Sequence, residues 1–190
     1  MTANAVMKLT NSLIDGEMTL ARLTPRHADG PYLNWFEDAK VTRYLMPIEG
    51  AMSAERLRRY IADNAASADS LLVGIFVGGG ARHVGNIRLT RIDCGHSRAG
   101  VGIMVGERDC WGKDMATRAI RMLTAYAGEA LDLRYLYAGC HAANAGSVGA
   151  FRNAGWVDWD TAPAAVRGIK AFRDCINVGH VTMIHCREWP

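Results

Sequence analysis

The succession of segments in this chain predicts an α/β (α+β) fold: one mixed sheet flanked by helices. Two observations carry that prediction. Short runs with strand spacing recur along the chain, interrupted by amphipathic stretches of period 3.6 at 53–65 and 115–131. No linker and no internal repeat divides the 190 residues, a length that suits a single domain.

The elements follow in order. Residues 19–23 (TLARL) alternate as a strand does; residues 1–18 are read as an N-terminal extension and 19–190 as the domain. Pro25 opens a helix carrying Tyr32, Trp35 and Phe36, and 38–45 (DAKVTRYL) continue as short helix or turn. Ser53 caps a helix with Leu57, Tyr60 and Ile61 on one face. The run 71–77 (LLVGIFV) is a strand, and 83–92 (HVGNIRLTRI) returns as its hairpin partner. Gly78, Gly79 and Gly80 between them form a turn rather than a phosphate loop, because no helix follows. After a turn at 93–96, 99–105 (AGVGIMV) is a strand ending at Gly106. The polar run 106–114 (GERDCWGKD) leads into the helix 115–131, whose stripe is Ile120, Leu123, Ala127 and Leu131. A strand at 133–140, a helix at 144–153 stopped by Gly155, a loop at 158–170 and strands at 171–178 and 180–186 complete the chain.

Composition narrows the function. No segment has the ~18 uninterrupted apolar residues of a membrane span, and the start lacks the basic and apolar pattern of a secretion signal, so a cytoplasmic location is expected. The five cysteines are an odd number without metal-ligand spacing, which points to reduced thiols and no metal site. A net charge of +3 spread along the chain gives no nucleic-acid footprint. A dinucleotide-binding oxidoreductase needs a glycine-rich turn after its first strand, whereas this one is followed by Thr24, Pro25, Arg26 and His27.

The chemistry concentrates between Gly100 and Trp156. A strand ends in a polar turn and a helix starts at once, so exposed N–H groups and the helix dipole together make an anion site. VGIMVGERDCWGKDMATRAI, followed by LYAGCHAANAGSVGAFRNAGW, resembles the GNAT superfamily of N-acetyltransferases. The likeness is to the branch acting on ribosomal-protein N-termini, spermidine and nucleotide-linked amino sugars. It runs loosely from Thr19 to Cys186 and is specific over Val101 to Trp156. The resemblance implies a mostly antiparallel sheet with a splayed central strand pair, and acetyl-CoA as cosubstrate. Carried over, the backbone of Met104, Val105 and Gly106 bonds the pantetheine arm. The pyrophosphate loop is Trp111, Gly112, Lys113, Asp114, Met115, Ala116 and Thr117, and Asn144 and Ser147 contact the cofactor arm. Asn144 and Ser147 also suit a helix cap, and Trp111 suits core packing. The family's acceptor pocket is built partly from the early helices, which nominates Trp35 and Tyr44 as substrate-binding residues.

Three departures stand out. Asp114 replaces the usual loop glycine; one like-charge pair at ~6 Å and a dielectric near 20 costs about 3 kcal/mol. As an N-cap, Asp114 would turn its oxygens to the helix N–H groups instead. Phe151 stands where many members place a proton-donating tyrosine, and 99–105 carries no carboxylate or histidine. His141, at the end of its strand, is then the first candidate for general base, and Glu107 the second. A backbone N–H near Val105 would polarise the thioester carbonyl. Three readings follow: acetylation of a small-molecule amine such as an amino sugar or polyamine, acetylation of protein N-termini, or a non-catalytic CoA-binding module on the same fold. A homodimer is compatible with the sequence and not specified by it.

Overall fold

The computed structural model describes residues 9, 11–45, 50–173 and 180–187. Eight strands among them form one sheet in the order β1-β2-β3-β4-β5-β6-β8-β7. Strand β1 (Leu13–Asp15), ahead of Thr19, pairs antiparallel with β2 (Met18–Arg22), and Leu9 is buried in the same core. The stretch after β2 is broken where one helix was expected. Residues Pro25–Asp29 form a 3-10 turn and α1 (Pro31–Asn34) starts afresh, because Pro31 has no N–H to continue a helix and Gly30 before it is extended. Helix α2 (Ala39–Thr42) and helix α3 (Ala54–Ala66) follow, each started by a side-chain cap, Asp38 and Ser53.

Strand β3 (Leu71–Val77) is apolar throughout because it lies mid-sheet, with both faces covered. The hairpin through three positive-φ glycines returns as β4 (Arg82–Asp93), which pairs antiparallel with β5 (Arg98–Val105) along its length. Helix α4 (Met115–Leu131) then crosses to β6 (Tyr135–His141), and helix α5 (Ala145–Asn153) leads to β7 (Val157–Asp158). Residues 158–170, expected as loop, include a 3-10 turn and α6 (Ala164–Arg167) after Pro163. Residues expected as strand at 171–173 are instead helical, in α7 (Lys170–Arg173); 174–178 lie outside the described residues. The physical reason is apolar anchoring: Phe172 is buried beside Tyr137 and Ile184, against β8 (His180–Cys186), which lies between β6 and β7.

The pleat sorts the two faces. Ile87, Leu89 and Val101 face the stripe of Ala119, Ile120 and Leu123 on α4. On the opposite face Leu72 and Phe76 pack with Tyr32, Trp35, Leu57 and Ile61 from α1–α3. Trp35 closes this second core against the end of β5: a methyl group added at Gly106 would lie 1.9 Å from its ring. Gly106→Ala therefore displaces the indole, and we expect a loss of about 1–3 kcal/mol, read as a lower urea midpoint; an unchanged midpoint would contradict the packing.

His83 is buried among Trp35, Phe76 and Tyr32, and its Nε2–H is shared by Gly85 O (3.0 Å) and Asn86 Oδ1 (2.8 Å). Burial lowers its pKa below the ordinary histidine value, against the opposing pull of Asn86. The unfolded chain then takes up the proton at higher pH than the folded one. This contribution is present above about pH 6.5 and is lost as pH falls through the lower folded pKa. Folding stability is expected to drop between pH 7 and pH 5; NMR titration of His83 showing a pKa above the free-histidine value would refute this origin.

Candidate active site

The parallel pairing of β5 with β6 stops early. Arg98, Ala99 and Gly100 lie opposite Tyr135, Leu136 and Tyr137, and beyond them the strands part. A cleft of about 1410 Å³ occupies the gap and reaches both faces of the sheet, larger than the few hundred Å³ of an ordinary ligand pocket.

Register decides which backbone groups face it. The Gly106 N–H donates to Val84 O (2.9 Å), which makes Gly85 and Val105 a non-hydrogen-bonded pair of the β4–β5 ladder. By alternation, Val101, Ile103 and Val105 turn their N–H and C=O away from β4; the Val101 N–H still meets Tyr137 O in the last parallel bridge, and beyond it the Val101 C=O and both groups of Ile103 and Val105 face the gap. Met104 turns its own towards Asn86. Of the expected backbone set, Val105 faces the gap, whereas Met104 faces Asn86 and the Gly106 N–H is bonded to Val84 O. Ile103 faces the gap on the same edge as Val105. The Val105 carbonyl already accepts from the Trp111 indole Nε1 (2.8 Å), leaving its N–H free for the gap. Trp111 itself is 43% exposed at the cleft, so core packing is not its role.

The loop residues Gly112, Asp114, Met115, Ala116 and Thr117 line the cleft; Lys113 is exposed beside it. Asp114 sits at the N-cap position of α4, but in the left-handed region (φ 60°, ψ 10°), with no side-chain hydrogen bond to the helix. A capping oxygen is placed by an extended backbone, so the carboxylate cap expected from the sequence does not form. The first helical bond runs from Arg118 N–H to Asp114 O (3.0 Å), and the N–H groups of Met115, Ala116 and Thr117 precede it without i−4 carbonyls. Gly112 is also left-handed (φ 70°), with open space where a side chain would be. An uncapped start to a 17-residue helix beside an open glycine turn fits a pyrophosphate.

Across the gap, Asn144 caps α5 through Oδ1, accepting from Ser147 N–H (3.1 Å), and its Nδ2 is left for the cleft. Ser147 Oγ lies 3.4 Å from Cys140 Sγ, whose pKa burial raises. Phe151, also at the cleft, is buried against Trp156 (ring centroids 4.8 Å). His141 lies on the other face, its ring tilted over Tyr44 (5.1 Å) and edge-on to His180 (6.1 Å). Tyr44 donates to Ala143 O (3.0 Å) and lines the cleft. The structure thus brings His141 and Tyr44 together at the cleft. It does not bring Glu107 or Trp35 there. They bond each other, Trp35 Nε1–H donating to Glu107 Oε1 (2.8 Å), and Arg82 holds the second Glu107 oxygen (2.7 Å). A carboxylate so occupied buttresses the end of β5.

Sequence reading missed Asn86, Arg88 and Tyr137. The alternation Asn86, Arg88, Thr90 along an otherwise buried strand was the available signal. Among the described residues no cluster of three or more His, Cys, Asp or Glu side chains is arranged to hold a metal, and no helix is long and apolar enough to cross a membrane.

A family model described as Acetyltransferase (GNAT) domain matches residues 17–157. The chain belongs to this family of acetyl-CoA-dependent N-acetyltransferases. Solved structures share the fold. One assigned as a ribosomal-protein-serine acetyltransferase from Vibrio cholerae has 15% identity and TM-score 0.72, over 95% of this chain and 99% of that one. A spermidine N-acetyltransferase from Vibrio cholerae, solved with CoA and spermine, has 17% identity and TM-score 0.67, over 76% of this chain and 83% of that one. A GNAT-family acetyltransferase from Bacillus anthracis has 15% identity and TM-score 0.68, over 92% and 95%. No curated protein matches the chain in sequence.

Asp114 gives this site a direct test. A left-handed backbone costs a side chain about 1–2 kcal/mol, less for Asp than for Ala. Asp114→Gly should be more stable than Asp114→Ala by about 1 kcal/mol in urea denaturation; equal stability would mean that the turn is not left-handed.

Proposed function

We propose that the cleft binds acetyl-CoA and that the enzyme transfers its acetyl group directly to the primary amine of a small molecule. The observation that carries this is the early parting of β5 from β6, next to an uncapped α4. The N–H groups of Met115, Ala116 and Thr117 would hold the pyrophosphate, with Lys113 beside them. The open edge from the Val101 carbonyl through Ile103 and Val105 would hold the pantetheine arm, joined by the Asn144 amide. Bound there, acetyl-CoA supplies an activated acetyl thioester. The Val105 N–H is the donor available to polarise its carbonyl oxygen.

The amine must lose a proton before it attacks. His141 Nδ1 accepts from Ala143 N–H (3.2 Å), so the neutral ring carries its proton on Nε2 and presents a donor. We therefore assign His141 to orienting the acceptor, and proton removal to solvent. Phe151 has no proton to give the departing thiolate, and holding the reactants in line supplies the main acceleration.

Calorimetric titration with acetyl-CoA should show micromolar binding, tightened by Asp114→Gly; absence of binding in both proteins would sink the cofactor reading. With an amine acceptor, kcat/KM should rise with pH as the amine deprotonates. His141→Gln should lower it less than about ten-fold and keep the shape of the profile. Loss of one titration step in that variant would make His141 the base instead.

A further inference from the structure

We propose that the acceptor amine carries an anionic group, a phosphate or a carboxylate, and that Asn86 and Arg88 on β4 bind it. This rests on the acetyl-transfer reading above and names the class of its acceptor.

The two faces of the cleft differ in charge. The pleat puts Asn86, Arg88 and Thr90 of β4 opposite Met104, Gly102 and Gly100 of β5, on the face covered by α1–α3. Tyr137, Gly139 and His141 of β6 project to that same face by alternation from Tyr137, which lies against Gly100. It is the face opposite α4, hence opposite the helix start that suits the pyrophosphate. Lys40, Arg43, Arg56, Arg88 and Arg91 all line the cleft, whereas Asp114, at the start of α4, is the one described carboxylate that does so.

Arg88 and Asn86 are a built pair of donors. Arg88 is half-buried and lies over Gly102: a methyl group there would be in van der Waals contact with Nε, at 3.4 Å. Its Nη1 donates to the Tyr60 hydroxyl (2.8 Å), which fixes the guanidinium, and no described carboxylate lies within ion-pair distance of it. A guanidinium drawn out of water without a counter-charge is costly, and its rigid fork matches phosphate and carboxylate oxygens. Asn86 is 4% exposed and lines the cleft two positions away on the same face. The His83 Nε2–H bond to Oδ1 sets the direction of its amide, and its Nδ2 is buried with no partner. Buried donors normally have acceptors; ligand oxygens would supply them to both side chains. Arg91 lies over the Tyr137 ring (5.5 Å) and Arg43 over Tyr44 (5.1 Å), neither with a described carboxylate partner. Among the described residues that line this face, a polycation such as a polyamine would meet cations and no carboxylate.

The test uses matched probes on the full chain, with and without saturating CoA. The neutral-bodied amine glucosamine is compared with glucosamine 6-phosphate, β-alanine amide with β-alanine, and spermidine is added alone; inorganic phosphate is titrated separately. The expected result is that one anionic member exceeds its neutral partner at least ten-fold in kcat/KM, or in affinity where turnover is slow. Which pair responds distinguishes phosphate from carboxylate. The preference should shrink at high salt and should largely vanish in Arg88→Gln through a higher acceptor KM, with acetyl-CoA affinity unchanged. Arg43→Gln, at an exposed position, should weaken it partly and guards against misfolding of the first variant. Preference for glucosamine, β-alanine amide or spermidine would overturn the proposal, as would failure of every anionic probe to bind. Loss of acetyl-CoA affinity in Arg88→Gln would also overturn it, assigning the cations to the cosubstrate's phosphates. Binding of anionic probes by protein that fails to bind acetyl-CoA would instead reject acetyl transfer and leave the anion site standing.

Discussion

The site depends on one constraint: β5 has a partner on both edges only as far as Gly100. β4 holds one edge to its end, while β6 turns away to pair with β8 along its whole length. The Val101 carbonyl and the backbone groups of Ile103 and Val105 are therefore left without a strand to bond. Buried backbone polar groups demand partners, so the gap is predisposed to take a ligand that supplies them. The large cleft, the exposed start of α4 and the meeting of α5 with the opposite wall all follow from that single separation.

What holds the gap open lies behind it. Trp35 fills the space that Gly106 vacates, its indole bonds Glu107, and Arg82 joins Glu107 to Asp109. This cluster fixes the end of β5 at the point where its direction changes into the α4 loop. A carboxylate that resembles a base in the sequence is here part of the support. The Trp111 indole caps the Val105 carbonyl from the other side, which leaves that residue's N–H as the free group.

The cleft is furnished chiefly with donors. An uncapped helix start and the open β5 edge lie at the side proposed for the cofactor, and the Asn86 amide and Arg88 guanidinium lie at the side proposed for the acceptor. Asp114 is the exception. Its left-handed backbone keeps it from capping α4, so the helix N–H groups stay available although a carboxylate stands next to them. A site rich in donors and poor in bases is suited to orienting and polarising reactants.

The sequence by itself determined the element order, because apolar periodicity and turn residues are local: β3, α4 and the glycine hairpin fall where pattern and punctuation put them. It also determined the family, through the contiguous run from Val101 to Trp156. The tertiary structure alone decided which backbone groups of β5 are open, since that depends on register with β4 and on the extent of β6, both non-local. It alone turned Glu107 and Trp35 away from the cleft, and buried Phe172 of the helical residues 170–173 beside Tyr137 and Ile184. It also assembled the cationic face, because Lys40, Arg43, Arg88 and Arg91 are scattered in sequence and share a wall only when α2, β4 and β5 pack together.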